Sequence, residues 1–146
     1  DHIIRDMIDF YQIPVSELNH IKNGGDYTTP EGKTIPHNRL TTPAAAPRSY
    51  AYCSDTACQR NIIPLIEGAD LLFHEATFAH ADLARAKETF HTTATQAAEI
   101  ACEAKVKQLL IGHFSARYED ESILLKEARS IFPDTILAKE NLRINL

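Results

Sequence analysis

Residues 70–77 read Asp-Leu-Leu-Phe-His-Glu-Ala-Thr, a short apolar run that ends in polar residues. A run of this length is typical of a buried strand. Outward from it, apolar strand patterns alternate with helical patterns along the chain. The predicted strands are 49–53, 70–74, 106–111, 135–138 and 141–146, and the predicted helices are 59–67, 81–88, 93–104 and 120–131. This alternation predicts an α/β fold in which helices cover a sheet.

The first 48 residues have a different pattern. We predict a helix over 1–10, a short helix over 16–23 and a small hairpin whose strands are Tyr27-Thr28 and Thr34-Ile35. Pro30 and Gly32 supply the backbone angles of its turn. A proline-rich extended connection follows, up to residue 47. We therefore expect 1–146 to be one portion of a domain, with helices, hairpin and connection in 1–48 and alternating strands and helices in 49–146.

Composition limits the class of protein. The chain has 146 residues, of which 44% are hydrophobic and 24% charged, as expected for one globular domain. No apolar stretch is long enough for a membrane span, so we expect a soluble protein with no membrane partner.

The three cysteines of the chain show no framework of pairs, which favours the cytoplasm. Cys53 and Cys58 are better explained as buried thiols than as metal ligands. The net charge of −5 argues against a broad basic face for nucleic acid.

Three polar clusters directly follow predicted strands: Ser54-Asp55-Thr56, His74-Glu75-Ala76-Thr77, and the stretch from His113 to Tyr118. In α/β proteins, ligands gather at the carboxyl ends of strands. Asp55 is either the N-cap of the next helix or a ligand. His74 is either a histidine at the edge of the core or part of a functional group with Glu75. Gly112 suits a backbone that bends to present His113.

A fourth feature is His91, which lies immediately before a helix whose start is marked by Thr93 and Gln96, the pattern of a capping box. Carboxylate and imidazole donors suit zinc, manganese or iron, and zinc is usual for hydrolysis. Two ligands cannot hold two metal ions, since each zinc needs about three or four donors. The remaining histidines show no metal-ligand spacing, and surface or packing roles are favoured for them: His2, His20, His37 and His80.

In their order along the chain, these clusters resemble ribonuclease Z, a family of tRNA 3′-processing endonucleases in the metallo-β-lactamase superfamily. The resemblance is carried by four segments: Tyr52-Cys53-Ser54-Asp55-Thr56, Phe73-His74-Glu75-Ala76-Thr77-Phe78, His91-Thr92-Thr93-Ala94 and His113-Phe114-Ser115-Ala116-Arg117-Tyr118. It is densest from Ser49 to Leu146. The fold it implies is the C-terminal half of an αββα sandwich.

The resemblance also implies a function and roles for residues. The parent protein is expected to be a zinc-dependent endoribonuclease that hydrolyses the phosphodiester at the 3′ end of tRNA precursors. Asp55 would bridge two zinc ions and His113 would bind one of them. His91, oriented by Glu75, would lie near the scissile phosphate and stabilise it or donate a proton to the leaving oxygen. We include His74 with Glu75 and His91 in the expected catalytic group.

The chain departs from the family on its N-terminal side. The family's H-x-H-x-D-H motif, a further histidine ligand and the basic arm that grips tRNA all precede the matched region, so we expect this chain alone to be inactive. Half of a sandwich would expose a sheet face, which favours a homodimer or another partner. Two alternatives stay open: a related metallo-β-lactamase-fold hydrolase of another phosphodiester or ester, and a non-catalytic assembly or binding domain.

Overall fold

The computed structural model describes residues 1–146 as two compact units, Asp1–Pro47 and Arg48–Leu146. None of its helices combines the length and the apolar character that crossing a membrane requires. Because the chemistry-bearing residues all lie after residue 48, the second unit positions the candidate site.

The first unit is built on short elements around a small apolar core. The predicted hairpin is present, with Tyr27 opposite Ile35. The predicted extended connection is interrupted by a helical turn and a two-residue strand that pairs with the first strand. Its core residues are Ile13, Ile21, Tyr27, Ile35 and Leu40. Its elements are β1 (His2–Ile3), α1 (Arg5–Tyr11), α2 (Val15–Lys22), β2 (Tyr27–Thr28), β3 (Thr34–Ile35), α3 (His37–Leu40) and β4 (Thr41–Thr42).

The second unit is a four-stranded parallel sheet with helices in its crossovers. The strand order is the order along the chain, β5-β6-β7-β8, and Cys53, His74 and Ile111 lie side by side in the register. The α/β fold expected from the sequence is therefore confirmed. Its elements are β5 (Tyr50–Cys53), α4 (Ile63–Ile66), β6 (Leu71–Glu75), α5 (Leu83–Glu88), α6 (Ala94–Glu103), β7 (Gln108–Gly112), α7 (Ser122–Ile131) and β8 (Thr135–Leu137).

One face of this sheet is covered by α6 and α7. The buried face of α6 carries alanines at helical spacing, including Ala94, Ala97 and Ala101, so the helix backbone can approach the strands closely. The predicted capping box is present, because Thr93 Oγ1 accepts from the Gln96 backbone N–H and the Gln96 side chain accepts from the Thr93 N–H. The core of this layer includes Leu72, Leu109, Ile111, Leu124 and Ala128.

The opposite face of the sheet carries exposed aromatic side chains. Side chains alternate along a strand, so the residues between those packed on the helices point the other way. Tyr50 and Tyr52 are 53% and 65% exposed. Tyr52 stacks on Phe73 of the next strand, with ring centroids 4.6 Å apart. The second unit thus has one covered and one uncovered sheet face.

Three predicted elements differ from the structure. In the first unit, the helix predicted over 1–10 begins only at Arg5, because His2–Ile3 form β1 and pair with β4. The helix predicted over 59–67 is a 3-10 turn, Arg60–Ile62, followed by the short α4. Pro64 lies in the first turn of α4, where its missing N–H is tolerated, but the same residue prevents a continuous α-helix from 59. The strand predicted over 141–146 is wrong: Asn141 has a left-handed φ of 62°, and a turn bond from Leu142 N–H to Lys139 O leads the chain out of β8.

Candidate metal centre

Four side chains meet at the carboxyl edge of the parallel sheet: Asp55, Glu75, His91 and His113. One donor atom of each lies within 4.8 Å of the others. Parallel strands all end at the same edge, so the residue that ends β6 and those that follow β5 and β7 are brought together there. His91 reaches this edge from the segment that enters α6. The structure therefore joins four sequence clusters into one group.

The four members differ in their access to solvent. The side chain of Asp55 is 79% exposed, His113 is exposed, and the side chain of His91 is 20% exposed. Glu75 is fully buried beneath them. Asp55 and His113 are therefore the members whose donor atoms are most available to a ligand from outside, whereas Glu75 faces groups of the protein.

The backbone at this edge adopts conformations that side chains usually avoid. Asp55 and His113 have φ angles of 54° and 60°, and Phe90, next to His91, has 59°. Left-handed backbone is uncommon for residues other than glycine, and such conformations cluster at functional sites. The role expected for Gly112 is different from the one observed. Glycine is required at position 112 because a Cβ there would lie 2.8 Å from the Phe73 ring. The bend itself is made by His113.

Glu75 accepts hydrogen bonds from several loops. Its carboxylate accepts from the backbone N–H groups of Thr56 at 2.5 Å and Thr92 at 3.0 Å, and from the Thr77 hydroxyl at 2.7 Å. Burial acts to raise the pKa of Glu75, but these hydrogen bonds and the one from His91 outweigh it, so the pKa lies below its ordinary value. Glu75 is thus an ionised carboxylate that ties three loops together.

The two imidazoles of the site are held through their Nδ1 atoms. His91 Nδ1 lies 3.1 and 3.2 Å from the two carboxylate oxygens of Glu75, and 3.9 Å from Asp55 Oδ1. An ionised carboxylate can only accept, so His91 carries its proton on Nδ1 and leaves Nε2 for a ligand. His113 Nδ1 lies 3.0 Å from the Thr77 hydroxyl oxygen. The sequence does not single out Thr77, although it stands in the same polar cluster as Glu75.

His74 lies outside this group. Its side chain is fully buried, its Nδ1 bonds to the carbonyl oxygen of Glu75 at 2.8 Å, and its Nε2 has no hydrogen-bond partner. Burial lowers the pKa of His74, so the ring is held neutral.

The cysteines also lie outside the four-residue group, and all three are free thiols. Cys53 and Cys58 are partly buried and pack against the core. None of the other four histidines belongs to the group: His2, His20, His37 and His80.

The donor set fits a metal ion bound partly by this chain. Carboxylate oxygen and imidazole nitrogen are common donors to zinc. Asp55 and His113 are accessible, and His91 presents Nε2, but the Glu75 oxygens are already occupied by hydrogen bonds. Two metal ions need more donors than these three side chains supply, so the chain by itself could not hold a pair of ions.

The chain was compared with known proteins by sequence. No family model matches it. It is 69% identical over 146 residues to a ribonuclease Z of Bacteroides fragilis, with all of the chain and 48% of that protein covered. It is 71% identical over 145 residues to a ribonuclease Z of Phocaeicola vulgatus, with 99% and 47% covered. A ribonuclease Z of Porphyromonas gingivalis is 56% identical over 145 residues, with 99% and 48% covered. The chain thus spans about half the length of the curated relatives it matches.

Solved structures give a concordant result. The metallo-β-lactamase fold protein YhfI of Bacillus subtilis matches with a TM-score of 0.60 and 29% identity, covering 65% of this chain and 39% of the other. The short form of human tRNase Z matches with a TM-score of 0.50 and 27% identity, covering 77% of this chain and 36% of the other. The expected metallo-β-lactamase relationship is therefore confirmed.

Proposed function

Because the chain belongs to the ribonuclease Z family, we propose that its full-length form, meaning this chain within a protein of its relatives' length, is a zinc-dependent endoribonuclease. Its substrate is the phosphodiester at the 3′ end of tRNA precursors. The observation that carries the proposal is the group of Asp55, Glu75, His91 and His113, whose donor atoms lie within 4.8 Å of one another at the carboxyl edge of the sheet. The 146 residues alone supply too few donors for this reaction.

In this proposal, zinc supplies Lewis-acid polarisation of the scissile phosphate and activation of water. Asp55 would help to hold the zinc through its exposed carboxylate, whose two oxygens could serve two ions. His113 would contribute a ring nitrogen to one of these ions. The remaining donors come from the part of the relatives' length that this chain does not span.

His91 and Glu75 form the proton-handling part of the site. The Glu75 carboxylate accepts from His91 Nδ1–H and so fixes the direction of Nε2. When Nε2 is protonated, it can donate that proton to the leaving oxygen, and the nearby negative charge of Glu75 stabilises the imidazolium. For His74 we propose a positioning role, through its bond to the Glu75 carbonyl oxygen.

We also propose that the full-length protein is cytoplasmic and forms a homodimer, and that a tRNA precursor is its partner. Three free cysteines support a reducing compartment. In the 146-residue chain, the exposed aromatic side chains of Tyr50 and Tyr52 support association of this sheet face with another surface, whereas in the full-length sandwich the other half of the fold would cover it. Light scattering on the purified full-length form measures its oligomeric state, and a monomeric mass would contradict the dimer.

The proposal is tested by comparing the 146-residue chain with the full-length form. Both are purified, bound zinc is measured by mass spectrometry of the metal, and cleavage of a tRNA precursor is assayed. We expect cleavage at the 3′ end by the full-length form only. Two bound zinc ions and cleavage by the short chain would contradict the partial site. Hydrolysis of small phosphodiesters, sulfate esters or thioesters in place of tRNA precursors would favour the related-hydrolase alternative, and no hydrolysis at all would favour an assembly domain.

A further inference from the structure

Thr77 is a buried residue, 6% exposed, whose single hydroxyl group lies among three members of the site. Its Oγ1 is 2.7 Å from a carboxylate oxygen of Glu75 and 3.0 Å from His113 Nδ1. It is also 2.8 Å from the backbone carbonyl oxygen of His113 and 3.4 Å from His91 Nδ1. Apart from this hydroxyl, the His113 ring has no hydrogen-bond partner in the chain. Thr77 is therefore the only polar restraint on an exposed ring.

The backbone around Thr77 is held independently of that hydroxyl. Ala76 N–H donates to Gly112 O at 2.8 Å, and Ser115 N–H donates to Thr77 O at 3.0 Å. On the next residue, Ala94 N–H donates to Phe78 O at 2.9 Å. These bonds tie the segment after β6 to the loop after β7 and to the start of α6. Removing the hydroxyl alone leaves all of them in place.

The protons around the hydroxyl determine the state of His113. A threonine hydroxyl has one proton and two lone pairs. Two acceptor oxygens, one of Glu75 and one of the His113 backbone, lie within 2.8 Å of the Thr77 hydroxyl oxygen, so the hydroxyl donates its proton to one of them. Its lone pairs then face His113 Nδ1, and a favourable contact at 3.0 Å requires a proton on Nδ1. The unprotonated ring nitrogen of neutral His113 is consequently Nε2.

We propose that Thr77 is a positioning residue that fixes His113 as the Nδ1–H tautomer and directs its Nε2 lone pair toward the metal. The inference rests on the proposed role of His113 as a ligand. A hydrogen bond to the far nitrogen of a metal-binding histidine fixes both its tautomer and its ring orientation. Because the same hydroxyl lies 2.7 Å from a Glu75 oxygen, Thr77 links the His113 ring to the carboxylate that orients His91.

The test compares Thr77→Val, which keeps the shape and removes the hydroxyl, with Thr77→Ser, which keeps the hydroxyl. Long-range proton–nitrogen NMR spectra of the metal-free 146-residue chain, at about pH 8 where histidines are mostly neutral, report which ring nitrogen is protonated. We expect Nδ1–H for His113 in the unchanged chain and in Thr77→Ser. In Thr77→Val we expect a shift toward Nε2–H, the tautomer that free histidine prefers in water.

The spectrum of the unchanged chain tests the tautomer even when Thr77→Val folds poorly. A proton on Nε2 of His113 in that spectrum would overturn the proposal. Nδ1–H retained in a folded Thr77→Val would overturn it as well. In the full-length form, zinc affinity should fall about 10- to 100-fold in Thr77→Val and recover in Thr77→Ser. A protein with the expected tautomer but no cleavage of tRNA precursors would contradict the proposed function and leave the positioning role standing.

Discussion

Each end of the parallel sheet carries a carboxylate that is little exposed, and the two carboxylates have different surroundings. At the amino end, Asp70 accepts from the Ser49 backbone N–H at 2.7 Å, from the Ser49 hydroxyl at 3.0 Å and from Lys107 Nζ at 2.7 Å. At the carboxyl end, Glu75 accepts from three loops and from the imidazole of His91. Both ends use an acidic side chain to hold neighbouring segments together.

The two ends differ in whether a cationic side chain balances the negative charge. The negative charge of Asp70 is matched by Lys107, and its bonds lower the pKa of Asp70 to about 2. No lysine or arginine pairs with Glu75, and the only ion pair of the neighbouring Asp55 carboxylate is with a histidine, at 3.9 Å. A carboxylate matched by a cation stabilises the fold, whereas unmatched negative charge with accessible donor atoms suits a cation from outside. The contrast separates the structural end of the sheet from the end proposed to act.

The largest effect that this contrast predicts is the loss of metal from the carboxyl end. Asp55→Ala and His113→Ala in the full-length form should lower zinc affinity by more than about 100-fold, since each would remove a proposed ligand rather than a supporting group. Asp70→Asn should leave zinc content unchanged. Exposed Asp6 and His80 provide matched controls as Asp6→Ala and His80→Ala. Metal analysis after dialysis measures the effect, and equal zinc in all five variants would refute the assignment.

His91→Ala separates proton handling from metal binding. Turnover of a tRNA precursor should fall about 10²- to 10⁴-fold, the usual contribution of a positioned acid or base, while zinc stays bound. Single-turnover cleavage and metal content are measured on the same preparation. Zinc loss as large as in Asp55→Ala would place His91 among the ligands instead.

Glu75→Gln is expected to destabilise the fold by a moderate amount. The amide replaces an accepting oxygen by a donating NH₂ group, so at least one buried donor from Thr77, Thr92 or Thr56 loses its acceptor. The expected loss is about 1–3 kcal/mol in the free energy of unfolding, measured by urea titration of the 146-residue chain. Glu119→Gln, at an exposed position away from this network, is the control. An unchanged urea midpoint for Glu75→Gln would show that the buried network contributes nothing to stability.

The smallest effect concerns acid stability at the amino end. The pKa of Asp70 is about 2 in the folded chain against 3.8 ordinarily, so its ionised form stabilises the fold. This contribution is complete above about pH 4 and is lost as the pH falls toward 2. Asp70→Asn should therefore flatten the decline in urea midpoint between these pH values, with little change near neutral pH beyond a constant offset. Parallel curves for both proteins would contradict the role of Asp70.

The sequence predicts most of the sheet, because its strands are apolar runs that can be recognised without knowing which segments contact them. The run 70–74 corresponds to β6, Leu71–Glu75, and Thr93 with Gln96 correctly marked the start of α6. The clusters at strand ends were also visible, since parallel topology places them at one edge. The resemblance to ribonuclease Z supplied the roles that the residues alone left open.

Other features depend on contacts between segments and could not be predicted in that way. Thr77 looked like an ordinary residue after a strand, and its importance comes from three loops converging on one hydroxyl. The sequence favours a bend at Gly112, but the close ring of Phe73 on the neighbouring strand is what requires glycine there. The local pattern of 141–146 predicts a strand because it does not show that the backbone of Asn141 is left-handed.

The aligned ends of β5, β6 and β7 also determine when during folding the candidate centre can form. Asp55, Glu75 and His113 approach one another only after these three parallel strands have paired, and each pairing closes a long crossover. Contacts of such high sequence separation form slowly. Affinity for a metal ion would therefore appear late in folding, and a metal-sensitive probe at this edge would report completed assembly of the sheet.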